Sequence, residues 1–160
     1  MTEMMIKTMQ GRDVPGLADC FPHLGDVPFE AYYLGQLQGQ CSALVALQTD
    51  ADGIRNYLGY SVVRWQSGAT AFWQRNIPEI VDLNVIAGAR RQGIGAALLH
   101  ACERAASEKA YDHIGVAIEK IQSDSAVLHL YQQCGFQSVE SGLGSSSQQL
   151  YLVKVLTESK

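Results

Sequence analysis

The stretch ARRQGIGAALL, Ala89 to Leu99, decides how the rest of the chain is read. Arg90 and Arg91 precede Gly93 and Gly95, which stand one residue apart and open an apolar run with helical spacing. A helix start presents several backbone N–H groups without intrahelical acceptors, together with partial positive charge, and phosphates bind there readily. Glycine lets the backbone approach a ligand closely because no Cβ stands in the way. The two arginines can add side-chain charge to the same anion. The same glycines would also serve a ligand-free turn between a strand and a helix, so the neighbouring segments have to decide.

Before the turn, IPEIVDLNVI reads as a fourth strand carrying Glu79, Asp82 and Asn84, unusual polar positions for a central strand. After it, GIGAALLHACERAASEKA places Ile94, Ala97, Leu98, Ala101 and Ala105 on one side of a long amphipathic helix. HIGVAI is a fifth strand, DSAVLHLYQQC a helix stopped by Gly135, and FQSVES and QQLYLVKVL are two last strands joined by GLGSSS. Towards the N-terminus, MIKTM is a first strand, and Asp13 is expected to cap a helix with Pro15 in its first turn. VPFEAYYLGQLQG gives a second helix with a stripe of Phe29, Tyr32, Tyr33 and Leu37. CSALVALQT and IRNYLGYSVVRWQ are strands two and three, separated by the turn signal DADG.

The order β, α, α, β, β, β, α, β, α, β, β describes an α/β chain of the α+β type. A helix joining strands four and five implies a parallel crossover, so the sheet is mixed. No repeat, linker or low-complexity segment divides the chain, and a single domain over 1–160 is expected.

The 160 residues are 47% hydrophobic and 18% charged, enough for a packed core and unlike a disordered chain. A net charge of −4 speaks against charge-driven nucleic-acid binding. Cys20, Cys41, Cys102 and Cys134 have no metal-ligand spacing and read as buried, reduced thiols, so no metal is expected. No signal pattern and no apolar run of membrane-spanning length is present, which predicts a cytoplasmic protein with no membrane partner.

Three phosphate motifs compete for the opening stretch. A nucleotide-triphosphate loop needs Lys and Ser/Thr after its last glycine, and neither follows Gly95. A dinucleotide fingerprint needs Gly or Ala where Leu98 stands. The surviving pattern is Arg/Gln-x-x-Gly-x-Gly/Ala, met by Arg90, Gly93 and Gly95. Here the chain resembles the GNAT superfamily of acetyl-CoA-dependent N-acetyltransferases, whose signature loop holds the coenzyme A pyrophosphate. DLNVIAGARRQGIGAALL resembles the family's fourth strand, loop and third helix, with Ala87 where proline is frequent. DSAVLHLYQQCGF resembles the second signature through Tyr131, Gly135 and Phe136, with Asp124 in place of Asn and Val127 in place of Ala.

The resemblance implies a mixed, mostly antiparallel sheet of about seven strands flanked by about four helices. It also implies acetyl-CoA as co-substrate and direct attack by a primary amine, of a small molecule or a protein, through a tetrahedral intermediate. Arg90, Arg91, Gln92, Gly93, Ile94, Gly95 and Ala96 would hold the pyrophosphate, with Asp124 and Tyr131 on the coenzyme from the second signature. Leu83 and Val85 would line the thioester, the Val85 amide polarising its carbonyl. Tyr131 matches the family's general acid for the departing thiolate. Its alternative is packing beside Val127 and Leu130.

Glu79, eleven residues before Arg90, matches the glutamate of histone- and ribosomal-protein-acetylating members and is the first choice of base. Its alternative is a solvated strand end after Pro78, and Asp82 reads better as a structural carboxylate than as the base. His100, His113 and His129 have no evident partner, while His23 can reach the acceptor site the family builds. That site would be formed by Phe21 to Tyr33, Gly142 to Ser147 and Trp73, with Phe21, Phe29, Tyr32, Tyr33 and Trp73 forming either an aromatic pocket or simple core. A non-catalytic acyl-CoA-binding regulatory or interaction domain is the second hypothesis and a nucleotide-binding module the third. Homodimers are frequent in the family, and a homodimer here rests on that analogy alone.

Overall fold

The computed structural model describes residues 4–90, 92–119, 126–139 and 149–156. Its strands are β1 (Met4–Thr8), β2 (Cys41–Thr49), β3 (Arg55–Arg64), β4 (Glu79–Val85), β5 (His113–Glu119), β6 (Gln137–Val139) and β7 (Gln149–Val155). Its helices are α1 (Asp13–Cys20), α2 (Val27–Leu37), α3 (Ile94–Glu108) and α4 (Ala126–Gln133). A helical turn at Thr70–Trp73 and a 3-10 turn at Ala87–Ala89 are additions that the hydrophobic pattern does not announce.

The strands join in the order β1-β2-β3-β4-β5-β7-β6. The β1–β2, β5–β7 and β6–β7 pairs are antiparallel. β4 runs parallel to β5 through Glu79↔Gly115 and Ile80↔Val116. The mixed seven-stranded sheet, four helices and parallel crossover are those expected from the element order.

The chain separates into two compact units, Met1–Val63 with Asp82–Cys102, and Arg64–Val81 with Glu103–Lys160. In the first, Leu17, Phe29, Val45, Tyr60, Val62, Leu98 and Leu99 are buried. The stripe expected along α2 is only partly inward: Phe29 is buried, but Leu37 is exposed together with Val27 and Leu34. In the second unit, Phe72, Ile114 and Leu152 are buried, and Trp65 stacks on Tyr111 with the Lys109 ammonium over its ring. Gly135 ends α4 as expected, with φ +98 and the Phe136 N–H donating to the Tyr131 carbonyl at 3.0 Å.

Two expectations need correction. None of the four cysteines is in a disulfide, but only Cys41 and Cys102 are buried; Cys20 and Cys134 are half-buried at helix ends, where the inward face runs out. Asp13 is the first residue of α1 rather than its cap, and Arg12 at the cap position makes no side-chain cap bond. Among the described residues, no helix is long and apolar enough to cross a membrane.

The Asp13 carboxylate is instead fully buried against longer-range partners. It pairs with the Lys7 ammonium and accepts from the Tyr57 hydroxyl at 2.7 Å and the Gln10 N–H at 2.8 Å, while Arg55 lies 3.7 Å away. Burial alone raises its pKa, but the bonds from Lys7, Tyr57 and Gln10 outweigh burial and hold it below the ordinary carboxylate value. Because the folded value is depressed, the stabilisation is present above the unfolded pKa and is lost as pH falls through the folded one. Asp13→Asn should therefore cost about 3 kcal/mol at neutral pH. Urea unfolding should show the gap to the unmutated chain closing below the unfolded value of 3.8.

Candidate functional site

In the first unit, β4 ends at Val85, and the next N–H, of Ile86, donates to the Leu58 carbonyl of β3 at 2.9 Å. The 3-10 turn follows, after which Arg90 is extended and its Nε donates to the Val85 carbonyl at 3.4 Å. Gly93 has φ +80, the left-handed region in which a side chain is strained. A Cβ placed there meets nothing within 4 Å, so the space before the turn is open. The Ala97 N–H makes the first helical bond, to the Gly93 carbonyl at 3.0 Å. The N–H groups of Ile94, Gly95 and Ala96 consequently lack intrahelical acceptors.

Ile94 is buried and anchors this turn, Arg90, Gln92 and Gly93 are exposed, and Leu83, Val85, Gly95 and Ala96 are half-buried. One strand–turn–helix segment thus gathers an exposed guanidinium and several outward N–H groups, a donor set suited to a phosphate oxyanion. Arg91, Asp124 and the loop Gly142 to Ser147 lie outside the described residues.

The polar residues of β4 find their reason in the same unit. Asp82 Oδ2 accepts from the Tyr60 hydroxyl at 2.7 Å and the Tyr32 hydroxyl at 2.9 Å, and Oδ1 accepts from Asn84 Nδ2 at 2.9 Å. Asn84 Nδ2 also donates to the Tyr60 oxygen at 2.8 Å. Burial pushes the Tyr60 phenol far above its ordinary pKa, the bond to and charge of Asp82 add to this, and Asn84 partly offsets it. Phe21 and Phe29 meet the Tyr60 ring edge-on, with centroids 5.2 and 5.0 Å away. Of the candidate acceptor aromatics, Phe21 and Phe29 are core, while Tyr32 and Tyr33 are half-buried. His23 is exposed and touches Phe21 at its edge. Tyr60 did not figure among the sequence candidates, for its pattern is that of any aromatic on a buried strand.

In the second unit, Glu79 is the first residue of β4, half-buried, and it accepts from Ser67 Oγ at 2.5 Å. Ser67 is itself buried and accepts the Ala69 N–H at 2.9 Å. Ser67, Gln66, Gly68 and the exposed Trp73 line a shallow pocket of about 360 Å³. No sequence signal marked Ser67. Tyr131 is buried on α4 with its ring edge-on to Phe136. Contrary to expectation His113 has a partner: its Nδ1 lies 2.7 Å from Asp112 Oδ1, an adjacent residue. His100 and His129 are exposed on helices. Among the described residues, no group of three or more His, Cys, Asp or Glu is placed to hold a metal.

The model of the Acetyltransferase (GNAT) family matches residues 15–136. Among solved structures, yncA of Salmonella typhimurium, determined with its cofactor acetyl-CoA, superposes with a TM-score of 0.72 at 16% identity over 99% of this chain and 96% of that one. A ribosomal-protein-alanine N-acetyltransferase from Brucella melitensis gives 0.70 at 21% identity, over 95% and 99% of the two chains. An N-acetyltransferase from Staphylococcus aureus Mu50 gives 0.71 at 17%, over 97% and 99%. No curated protein sequence matches the chain.

The raised pKa of Tyr60 sets an alkaline dependence. Its stabilisation is complete below the unfolded phenol value of 10.0 and is lost as pH rises towards the folded one. Tyr60→Phe should lower stability at pH 7 by about 1.5 kcal/mol. Above pH 10.0, unfolding free energies of the variant should fall less steeply than those of the parent, by about 1.4 kcal/mol per pH unit, one proton's share.

Proposed function

Since the chain belongs to the GNAT family of acetyltransferases, and is an acyltransferase by that membership, we propose that it moves the acetyl group of acetyl-CoA to a primary amine of a small molecule or protein. The observation that carries this reading is the turn from Val85 to Ala96, where Gly93 in a left-handed conformation leaves open space before the free N–H groups of α3. These residues fit a pyrophosphate: Ile94, Gly95 and Ala96 supply backbone donors, and Arg90 and Gln92, with Arg91, supply side chains. Asp124 and Tyr131 complete the coenzyme contacts by resemblance. Acetyl-CoA supplies the acetyl group as a thioester.

Leu83 and Val85 line the acyl end, and the Val85 N–H polarises the carbonyl. Glu79, its carboxylate held by Ser67, takes the proton of the amine at Oε. The Tyr131 hydroxyl supplies the proton for the departing sulfur. Free thiols in both units suit a reducing cytoplasm. The unit borders fall inside β3, β4 and α3, which supports reading 1–160 as one acetyltransferase domain.

The first test is a thermal-shift titration against acetyl-CoA, coenzyme A, ATP and NAD. The two coenzyme A species alone should raise the melting temperature. A rise with ATP or NAD alone, or with none of the four, overturns the reading. Gly93→Val should abolish the rise at a stability cost of only about 1–2 kcal/mol. In a thiol-release assay, Tyr131→Phe and Glu79→Gln should each lower kcat by about 10²-fold or more, and Tyr131→Phe should slow turnover more than it weakens acetyl-CoA binding. Unchanged rates would assign both side chains to packing.

A further inference from the structure

The direction of the Ser67 hydroxyl is decided by its own loop. A serine oxygen carries one proton and accepts through its lone pairs. The Ala69 N–H donates to this oxygen at 2.9 Å, so the turn is closed without the hydroxyl proton. That proton is left to donate outwards, and it meets Glu79 Oε1 across 2.5 Å, the length of a charge-assisted O–H···O⁻ bond. Ser67 is 5% exposed, so little water competes for its place. Glu79 Oε2, by contrast, has no partner among the described residues and is not enclosed.

The loop carrying Ser67 is tied to the same point of the sheet as Glu79. The Ala69 carbonyl accepts the Phe72 and Trp73 N–H groups at 3.0 and 2.9 Å, and the Phe72 carbonyl accepts the Ile77 N–H at 3.0 Å. The Phe72 ring lies over Gly115, where a Cβ would come within 2.7 Å of it. Gly115 is also the β5 residue opposite Glu79. Donor and acceptor therefore share one backbone reference. A free glutamate side chain samples many rotamers, whereas a base acts only within hydrogen-bond reach of the proton it takes. Resting on the acetyltransferase reading above, with Glu79 as its base, we infer that Ser67 is a positioning residue: its hydroxyl fixes Oε1 and leaves Oε2 to take the proton. An N–H bond of the amine breaks as its nitrogen bonds to the acetyl carbon, the proton passes to Oε2, and Ser67 keeps its own.

The test is a double-mutant cycle read as thiol release from acetyl-CoA, using whichever of a panel of alkylamines and amino-acid amides the unmutated protein acetylates fastest. Ser67→Ala should lower kcat by about tenfold or more, since misplacing a reacting group by about 1 Å can cost about 10²-fold, while the KM for acetyl-CoA stays within about twofold. In the Glu79→Gln background the same change should cost less than about twofold, because the carboxylate it positions is gone. Equal costs in the two backgrounds would make Ser67 merely structural and overturn the inference. A Ser67→Ala variant as fast as the parent beside a slow Glu79→Gln also overturns it, and leaves the base reading standing. Glu79→Gln as fast as the parent fails the base reading itself and the inference with it. Crystal structures of the parent and Ser67→Ala need no acceptor: Glu79 should hold one rotamer in the first and several in the second. One shared rotamer in both overturns the positioning role whatever the amine panel shows.

Discussion

A carboxylate on an inner strand loses water on folding, and it is tolerated only where hydrogen bonds replace that water. Asp82 meets this condition through Tyr60 of β3, Tyr32 of α2 and its own strand neighbour Asn84. The consequence is structural before it is chemical. Satisfying one side chain ties a helix and two strands together at the middle of β4, and the ring of Tyr60 lies between Phe21 and Phe29. Each donor removed leaves a polar atom in a place that water reaches poorly, so the cluster behaves as a unit rather than as four separate contacts.

That anchorage sits immediately before the segment that gives the family its signature. Ile86 is bound to Leu58, Arg90 reaches back to Val85, and Gly93 turns the chain into α3. The backbone donors at the start of α3 need no side chain to create them; they follow from any helix beginning. What the sequence adds is a glycine whose conformation directs them towards open space and an arginine beside them. A hydrogen-bonded polar strand and an open helix start therefore occur within a few residues of each other.

The second unit shows the same logic with smaller means. Ser67, buried in the turn before the Thr70–Trp73 helical turn, holds Glu79 at the start of β4. A glutamate that a sequence places at a strand end thus acquires a defined orientation from a residue with no motif of its own. Tyr131 is likewise set by packing, through its edge contact with Phe136 just beyond the glycine that ends α4.

The order of the elements, the parallel crossover, the end of α4 at Gly135 and the turn at Gly93 were all determined by the sequence itself. Each depends on residues a few positions apart: alternation along a strand, one face of a helix, a glycine where φ is positive. The partners of the charged and polar side chains were decided only by the tertiary structure. Asp13 bonds to Tyr57 across 44 residues, Tyr32 to Asp82 across 50, and Ser67 to Glu79 across 12. A local pattern announces that Asp82 and Asn84 are out of place on a central strand, but strand register and helix docking choose who satisfies them. A hydrogen bond needs its two atoms within about 3 Å, and only the folded chain sets that distance for residues so far apart in sequence.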